Sequence, residues 1–374
     1  MIKSFTPTGV RWIAPTIAFI LVVLWTIPTF GLLVSSFRDK DQLSSSGWWT
    51  ALQNSERNNV VRTELPSEQS EVDGQFILDG NALETGTTVT AFGYNSRRPT
   101  EFTPGETATL KNGNQLTVMA DGQYTLSSDT PMDGKRGQRI FIRAEEPARF
   151  TTENYQEVMF AEGLGRAFLN TMTVTIPATI IPILVAAFAA YALSWMQFPG
   201  RAIILAIVVG LLVVPLQMAL IPLLKLHNNL GIGKSYLGIW FAHTAFGLPL
   251  AIFLLRNYIS KLPAEIIDSA RVDGASDFAI FIKIVLPLSF PALASFAIFQ
   301  FLWVWNDLLI ATVFLGNNSE QLVMTGALRE LLGSRGGNWE ILTASAFVSI
   351  AVPLAVFFSL QRYLVSGLLA GSVK

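Results

Sequence analysis

Apolar residues in this chain gather into six runs uninterrupted by charge. Arg11 to Arg38 encloses 26 uncharged residues, Arg166 to Arg201 encloses 34, and Arg201 to Lys225 encloses 23. Lys234 to Arg256 encloses 21, Lys283 to Asp307 encloses 23, and Glu340 to Arg362 encloses 21. A helix needs about 20 apolar residues to cross roughly 30 Å of hydrocarbon, whereas helices of soluble proteins average only about 10–14 residues. The pattern therefore predicts six membrane-spanning helices. The first run carries an apolar stretch from Ile13 to Val34, longer than the 7–15 residues of a secretory signal, and Ser35-Ser36-Phe37 is a poor cleavage site. It reads as a retained anchor.

Between the first and second runs the texture changes. Asp73-Gly74, Asp79-Gly80, Asn112-Gly113, Asp121-Gly122 and Asp133-Gly134 are pairs suited to tight turns, where φ is positive. β-prone stretches lie between them: Gln75–Leu78, Thr87–Tyr94, Gln115–Met119, Tyr124–Leu126 and Arg139–Ile142. This predicts a small, mainly β domain over 70–145, with the Ser/Asn/Gln/Glu-rich stretch 40–70 as a loosely ordered lead-in. The Asx-Gly pairs lack the acidic spacing of a calcium loop, and the insert carries no catalytic constellation.

Charge separates the same two regions. Of 374 residues 51% are hydrophobic and only 14% charged, against about 25% charged in soluble domains. Residues 38–166 hold 13 basic and 19 acidic groups, and the rest of the chain holds 13 and 8. No basic domain suggests nucleic acid. The absence of Cys excludes disulfides, thiolate nucleophiles and Cys-ligated metals, and two isolated histidines, His227 and His243, leave little for an imidazole metal site. If the N-terminus is cytoplasmic, Lys3, Arg11, Arg201, Arg256, Lys261, Arg271, Lys283, Arg362 and Lys374 lie inside, against Lys225, Lys234, Arg329 and Arg335 in short outer loops. The positive-inside rule favours that orientation. Both termini are then cytoplasmic and the insert is outside.

The inner segment 258–290 is the most informative. Pro263 suits the start of a helix, with Glu265 in the positive end of its dipole, and Gly274 stands where a C-terminal cap is expected. A helix of about ten residues is too short to be stable alone, so it needs a partner surface. Asp268 and Arg271 share one face, while Ile266, Ile267 and Ala270 can turn the other way. Ser269, Ala270 and Gly274 are small enough for another protein's groove to approach.

Asp268-Ser269-Ala270, Gly274, Ile284 and Leu286-Pro287 resemble, spacing for spacing, the cytoplasmic Glu-Ala-Ala…Gly…Ile-x-Leu-Pro motif of permease subunits in binding-protein-dependent ABC importers. The chain departs at two positions, with Asp for Glu and Ser for Ala, which keep charge and small volume. Phe198-Pro199-Gly200-Arg201, Trp305-Asn306-Asp307, Phe150–Tyr155 and Tyr363–Leu368 look like the sugar-importer branch, and more narrowly its maltose-type second permease. The enlarged outer loop is similar to that of α-glucoside permeases.

The resemblance implies an all-α integral membrane protein of six transmembrane helices, the type I ABC importer permease fold, with a mainly β extracytoplasmic insert between helices 1 and 2. Its parts are 1–37 with the first helix, the periplasmic insert 38–160, and a core 161–374 holding the coupling loop 258–290. It implies a bacterial inner-membrane location, a second permease subunit, two ATP-binding subunits, a periplasmic solute-binding protein and an oligosaccharide substrate. ATP and Mg are used by the partner ATPase subunits, and this chain binds no cofactor of its own. Glu265, Asp268, Ser269, Ala270, Arg271, Asp273, Gly274, Ile284, Leu286 and Pro287 are its expected coupling residues.

Gln217, Gln300, Trp305, Asn306 and Asp307 are candidates for a translocation path. A carboxylate near membrane depth costs about 2.5–3.5 kcal/mol, so Asp307 either faces protein or water in the path or fixes an outer gate, or sits solvated at a helix end. Cross-helix hydrogen bonds account for the glutamines equally well. Gly231-Ile232-Gly233-Lys234-Ser235 has Asn228 where a phosphate loop needs glycine, and reads as a surface turn. An ion- or proton-coupled secondary transporter is the alternative. It would need inverted repeats and midplane charges, and Asp307 stands alone. A single-anchor sensor leaves five runs unexplained.

Overall fold

The computed structural model describes residues 10–83, 87–161, 163–334 and 337–369. Lys3, Arg335 and Lys374 of the charge pattern lie outside them, as do the side chains of 364–368. The chain divides into two compact units, Met1–Thr152 and Glu153–Lys374.

The first unit opens with helix α1 (Val10–Ser36), whose apolar side chains are largely exposed, as a lipid-facing helix requires. After a short helix α2 (Lys40–Ser45) come eight antiparallel strands. β1 (Ser55–Arg62), β4 (Thr88–Gly93) and β8 (Arg139–Glu146) form a three-stranded sheet in the order β1-β8-β4. β2 (Ser70–Val72), β3 (Gln75–Asn81), β5 (Thr107–Thr109), β6 (Gln115–Val118) and β7 (Gln123–Ser128) form the other, in the order β2-β3-β7-β6-β5. Alternate residues of both sheets, among them Leu78, Phe92, Leu116, Leu126, Ile140 and Ile142, bury one apolar core.

All five expected strands are present, and three more join them. The lead-in 40–70 is not loose: it holds α2 and β1, and β1 pairs along its whole length with β8, from Ser55 opposite Glu146 to Arg62 opposite Arg139. Few of its residues are apolar, so alternation gave no signal there; β8 supplies the pairing. Asp73-Gly74 makes the β2–β3 turn with φ of +52° and +81°, which Gly almost alone tolerates as a pair with Asp or Asn. Asp79-Gly80 is not a turn but the end of β3, where glycine is required because a Cβ would collide with the Tyr124 hydroxyl.

That hydroxyl is buried and accepts a hydrogen bond from the Glu64 N–H at 2.8 Å. Burial pushes the Tyr124 phenol above its ordinary value, opposed in part by the Glu64 N–H. The unfolded chain, with an ordinary phenol near pH 10, then loses its proton first. The insert's stability is thus full below about pH 10 and falls as pH rises toward the folded value. Melting of the detergent-solubilised chain between pH 9 and 11 should show this slope, and Tyr124→Phe should flatten it; an equal slope in both would refute the assignment.

The second unit starts with α3 (Glu153–Gln156) and a π-helical turn, then the long α4 (Leu164–Trp195). α5 (Arg201–Leu211) and α6 (Leu216–Asn229) follow, then α7 (Tyr236–Ile259), α8 (Ala264–Val272), α9 (Asp277–Ile280) and α10 (Leu286–Leu288). α11 (Phe290–Trp305), α12 (Leu309–Phe314), α13 (Met324–Ser334) and α14 (Trp339–Leu369) complete it.

Four of the six apolar runs are single helices: α1, α4, α7 and α14. The third and fifth are broken. α5 and α6 meet at 110°, and the segment Asp277–Leu288 meets α11 at 70°. The first break falls at Pro215, which lacks an N–H and disfavours helical backbone at Val214; the second is at Ser289, between Pro287 and Pro291. Pro177, Pro182, Pro249 and Pro353 remain inside their helices. Gly231–Ser235 is a turn into α7, which Ser235 caps by accepting from the Gly238 N–H at 3.0 Å.

Candidate functional site

α8 lies between α7 and α9 and has one buried anchor. Ile267 is 0% exposed, in a cluster with Leu255 and Ile259 of α7, Ala190 and Tyr191 of α4, and Ile280 and Phe281. Leu262, Ala270, Ala275, Ile284 and Leu286 pack around that cluster. The opposite side presents Glu265, Ile266, Asp268, Ser269, Val272 and Asp273 to solvent, with Val272 88% exposed. A nine-residue helix has little stability of its own, so burial of Ile267 holds it in place.

Its end is fixed by backbone geometry. Gly274 has φ +79°, its N–H donates to the Arg271 carbonyl, and the Ala275 N–H donates to the Ala270 carbonyl, both at 3.0 Å. This pair of bonds is a Schellman cap, and it needs a residue at ease with positive φ. The chain then turns into α9, whose N-terminus is capped by Ser276 accepting from the Ala279 N–H. Ile284 lies in a π-helical stretch, Phe281–Val285, and exposed Pro287 sits just before the Ser289 break. The spacing from Ala270 to Pro287 is thus a helix, a cap and a return packed on a common cluster.

Arg271 is a tether rather than a free surface charge. Its guanidinium donates to the Trp195 carbonyl at the end of α4 (3.0 Å) and to Asp277 Oδ1 (3.4 Å), and it lies 3.6 Å from Asp268. Tyr191 O–H donates to the same Asp277 oxygen at 3.0 Å, and the Trp195 indole donates to the Ile259 carbonyl. Tyr191 and Trp195 carry no sequence signal because their partners lie 86 and 64 residues away in the chain, and Asp277 joins them to the nearby Arg271. The Ser276-Asp277 helix start was the only local signal.

The path candidates separate into two kinds. Gln300 is buried in α11, donates to the Ala178 carbonyl of α4 at 3.0 Å, and borders a cavity of about 440 Å³ with Phe246, Gly247 and Trp303. Gly247 has no room for a Cβ, which would lie 2.6 Å from Gln300 Oε1. Gln217 is exposed near the start of α6. Trp305 is 1% exposed, donates to the Ser349 carbonyl of α14 at 2.9 Å, and packs on Phe168 and Phe301. Asn306 is exposed and donates back to the Leu302 carbonyl.

Asp307 is mostly buried, and its Oδ2 accepts from the Ala311 N–H at 2.9 Å, capping α12, while its carbonyl accepts from Thr325. It is a mostly buried acceptor for the first turn of α12, not a solvated helix end. Asp307→Ala should lower stability by about 0.5–2 kcal/mol, and Asp307→Asn, which keeps a capping oxygen, by less. Thermal unfolding of the two variants checks this; equal loss would mean the charge, not the cap, matters. His243, fully buried 3.9 Å from Asp307, has no hydrogen-bond partner on either ring nitrogen among the described residues.

Long apolar helices carrying a short, anchored and solvent-exposed helix define a membrane-spanning component. Residues 163–369 match the family described as binding-protein-dependent transport system inner membrane component, and the chain belongs to that family. It is similar to the alpha-glucoside transport system permease protein AglG of Rhizobium meliloti, 66% identical over 97% of each chain. It is 56% identical to the osmoprotective compounds uptake permease protein GgtD of Synechocystis, over 63% of this chain and 79% of that one. A crystal structure of a bacterial ABC transporter importing alginate is also similar, with TM-score 0.49 and 24% identity over 59% of this chain and 81% of that one. The chain is a multi-pass inner-membrane permease subunit of an ABC importer and not itself an enzyme. Nothing among these relatives favours an ion-coupled secondary transporter.

Proposed function

We propose that the chain imports an α-glucoside as one of two permease subunits in an ABC importer. Two ATP-binding subunits supply the energy, using ATP and Mg, and a periplasmic solute-binding protein delivers the sugar. The observation that carries the substrate class is 66% identity to the AglG permease across nearly the whole of both chains, which takes in the insert. Each broken helix pair counts as one crossing, making six; both termini are cytoplasmic and residues 38–160 are periplasmic. α8 then faces the cytoplasm, and its outer surface of Glu265, Ile266, Asp268, Ser269, Val272 and Asp273 is where an ATP-binding subunit docks. Asp and Ser, in place of the familiar Glu and Ala, keep the charge and the low profile of that surface. Gln300 and the cavity beside it belong to the sugar's route.

The test is reconstitution with the partner subunits and binding protein in proteoliposomes. Sucrose, maltose or trehalose should stimulate ATP hydrolysis severalfold, and the β-linked cellobiose should not. Equal stimulation by cellobiose, or none by any α-glucoside, would overturn the substrate assignment.

A further inference from the structure

The insert carries a cleft of about 660 Å³ on the outer side of the β1-β8-β4 sheet. That is the size of a small-molecule site. Although residues 38–166 are net acidic, Arg62, Lys111, Arg136 and Arg139 line the cleft and no carboxylate does. Arg62 and Arg139 are paired directly across β1 and β8, an arrangement of like charges that costs stability unless something offsets it. Elsewhere on these strands the arginines are neutralised: Arg57 lies 2.7 Å from Asp41 and 3.6 Å from Glu146, and Arg143 lies 3.9 Å from Glu56. Among the described residues Arg62, Lys111, Arg136 and Arg139 have no ion-pair partner; Arg62 makes one hydrogen bond, to the Gly137 carbonyl.

The rest of the lining is aromatic and amide. Tyr94 and Phe141 are half-buried, leaving ring surface in the cleft. Asn95 and Asn112 spend their carbonyl oxygens on the turn N–H groups of Arg97 and Asn114, which leaves their NH₂ groups as donors. The cleft shares Asn112, Arg136 and Gln138 with an adjoining cavity of about 200 Å³, where Asp133 is the one carboxylate.

We infer that this cleft binds an acidic oligosaccharide. The four cations come from separate segments, two strands and two loops, so they suit charges distributed along a chain better than one phosphate. Rings that stack on sugar faces and amides that reach hydroxyls complete the recognition. The site is built wholly from residues of the insert and does not depend on the α-glucoside assignment.

The experiment is calorimetric titration of the detergent-solubilised full chain with trigalacturonate, a sulfated heparin tetrasaccharide, maltotriose, AMP and inorganic phosphate. One or both acidic saccharides should bind, more weakly as salt rises, and maltotriose should not. Arg62→Ala with Arg139→Ala should weaken that binding by about tenfold or more, as should Tyr94→Ala, with an unchanged far-ultraviolet circular dichroism spectrum as the folding control. Failure of both acidic saccharides to bind overturns the proposal. So does equal binding to the arginine variant, or AMP or phosphate binding as tightly as the saccharides.

Discussion

Replacing Ile267 by Asp is expected to abolish transport, with uptake falling by about 100-fold or more. Ile267 is the fully buried side chain of α8 and joins the apolar cluster with α4, α7 and the α9 return, beside the polar tether of Arg271. An unpaired carboxylate there costs several kcal/mol, and about 2.7 kcal/mol already corresponds to a hundredfold change. A nine-residue helix cannot absorb that loss, so it leaves its seat. Ile267→Val removes one methyl, costs about 0.5–1.5 kcal/mol, and should leave uptake within a few-fold. Val272→Asp separates anchoring from docking: at 88% exposure it disturbs no packing, so loss of ATP-binding subunits from that variant alone reports the contact surface. Quantifying the chain in membranes together with co-purified ATP-binding subunits reads both effects. Normal sugar-dependent ATP hydrolysis by Ile267→Asp would show that α8 is held by something else.

The difference between Ile266 and Ile267 also shows how far this site was legible from sequence. Helical spacing sets Ile266, Ile267 and Ala270 apart from Asp268 and Arg271, yet only Ile267 is fully buried, and Ile266 is 38% exposed. Arg271, expected at the docking surface, turns to Trp195 and Asp277 instead. Which residue faces the core is decided by the end of α4, some seventy residues away in sequence, and no local pattern encodes that. The apolar runs were legible because hydrocarbon thickness imposes a length on them. Their breaks were legible only as prolines, and sequence offers no rule separating Pro215, from which α6 starts afresh after the break, from Pro249, which α7 accommodates. Trp305 stands beside Asn306 and Asp307 in sequence, yet it is 1% exposed and its indole donates to the Ser349 carbonyl of α14, a partner no local pattern reveals. In the insert, Asp73-Gly74, Asn112-Gly113 and Asp121-Gly122 marked turns; Asp133-Gly134 lies in the irregular β7–β8 connection, and at Gly80 the demand came from Tyr124 across the sheet.

Gly274→Val is the second large effect expected, and the reason is backbone rather than space. Nothing lies within 4 Å of where a Cβ would stand, so size alone excludes no residue in the isolated chain. At φ +79°, however, an L side chain costs about 1–2 kcal/mol, and a β-branched one more. Valine would therefore undo the bonds from Gly274 to Arg271 and from Ala275 to Ala270, and α8 would lose its end. Uptake should fall by roughly tenfold or more, since about 1.4 kcal/mol is a factor of ten. Asn tolerates this conformation, so Gly274→Asn should retain most of the activity. Gly274→Trp should fail as valine does, adding bulk to strain. Uptake and ATP hydrolysis measured for the three variants distinguish two demands on this glycine. Activity ordered Asn above Val and Trp means the cap is what matters. If Asn fails as completely as Trp while its α8 stays folded, the ATP-binding subunit's groove must press against the glycine itself, and the backbone account is wrong.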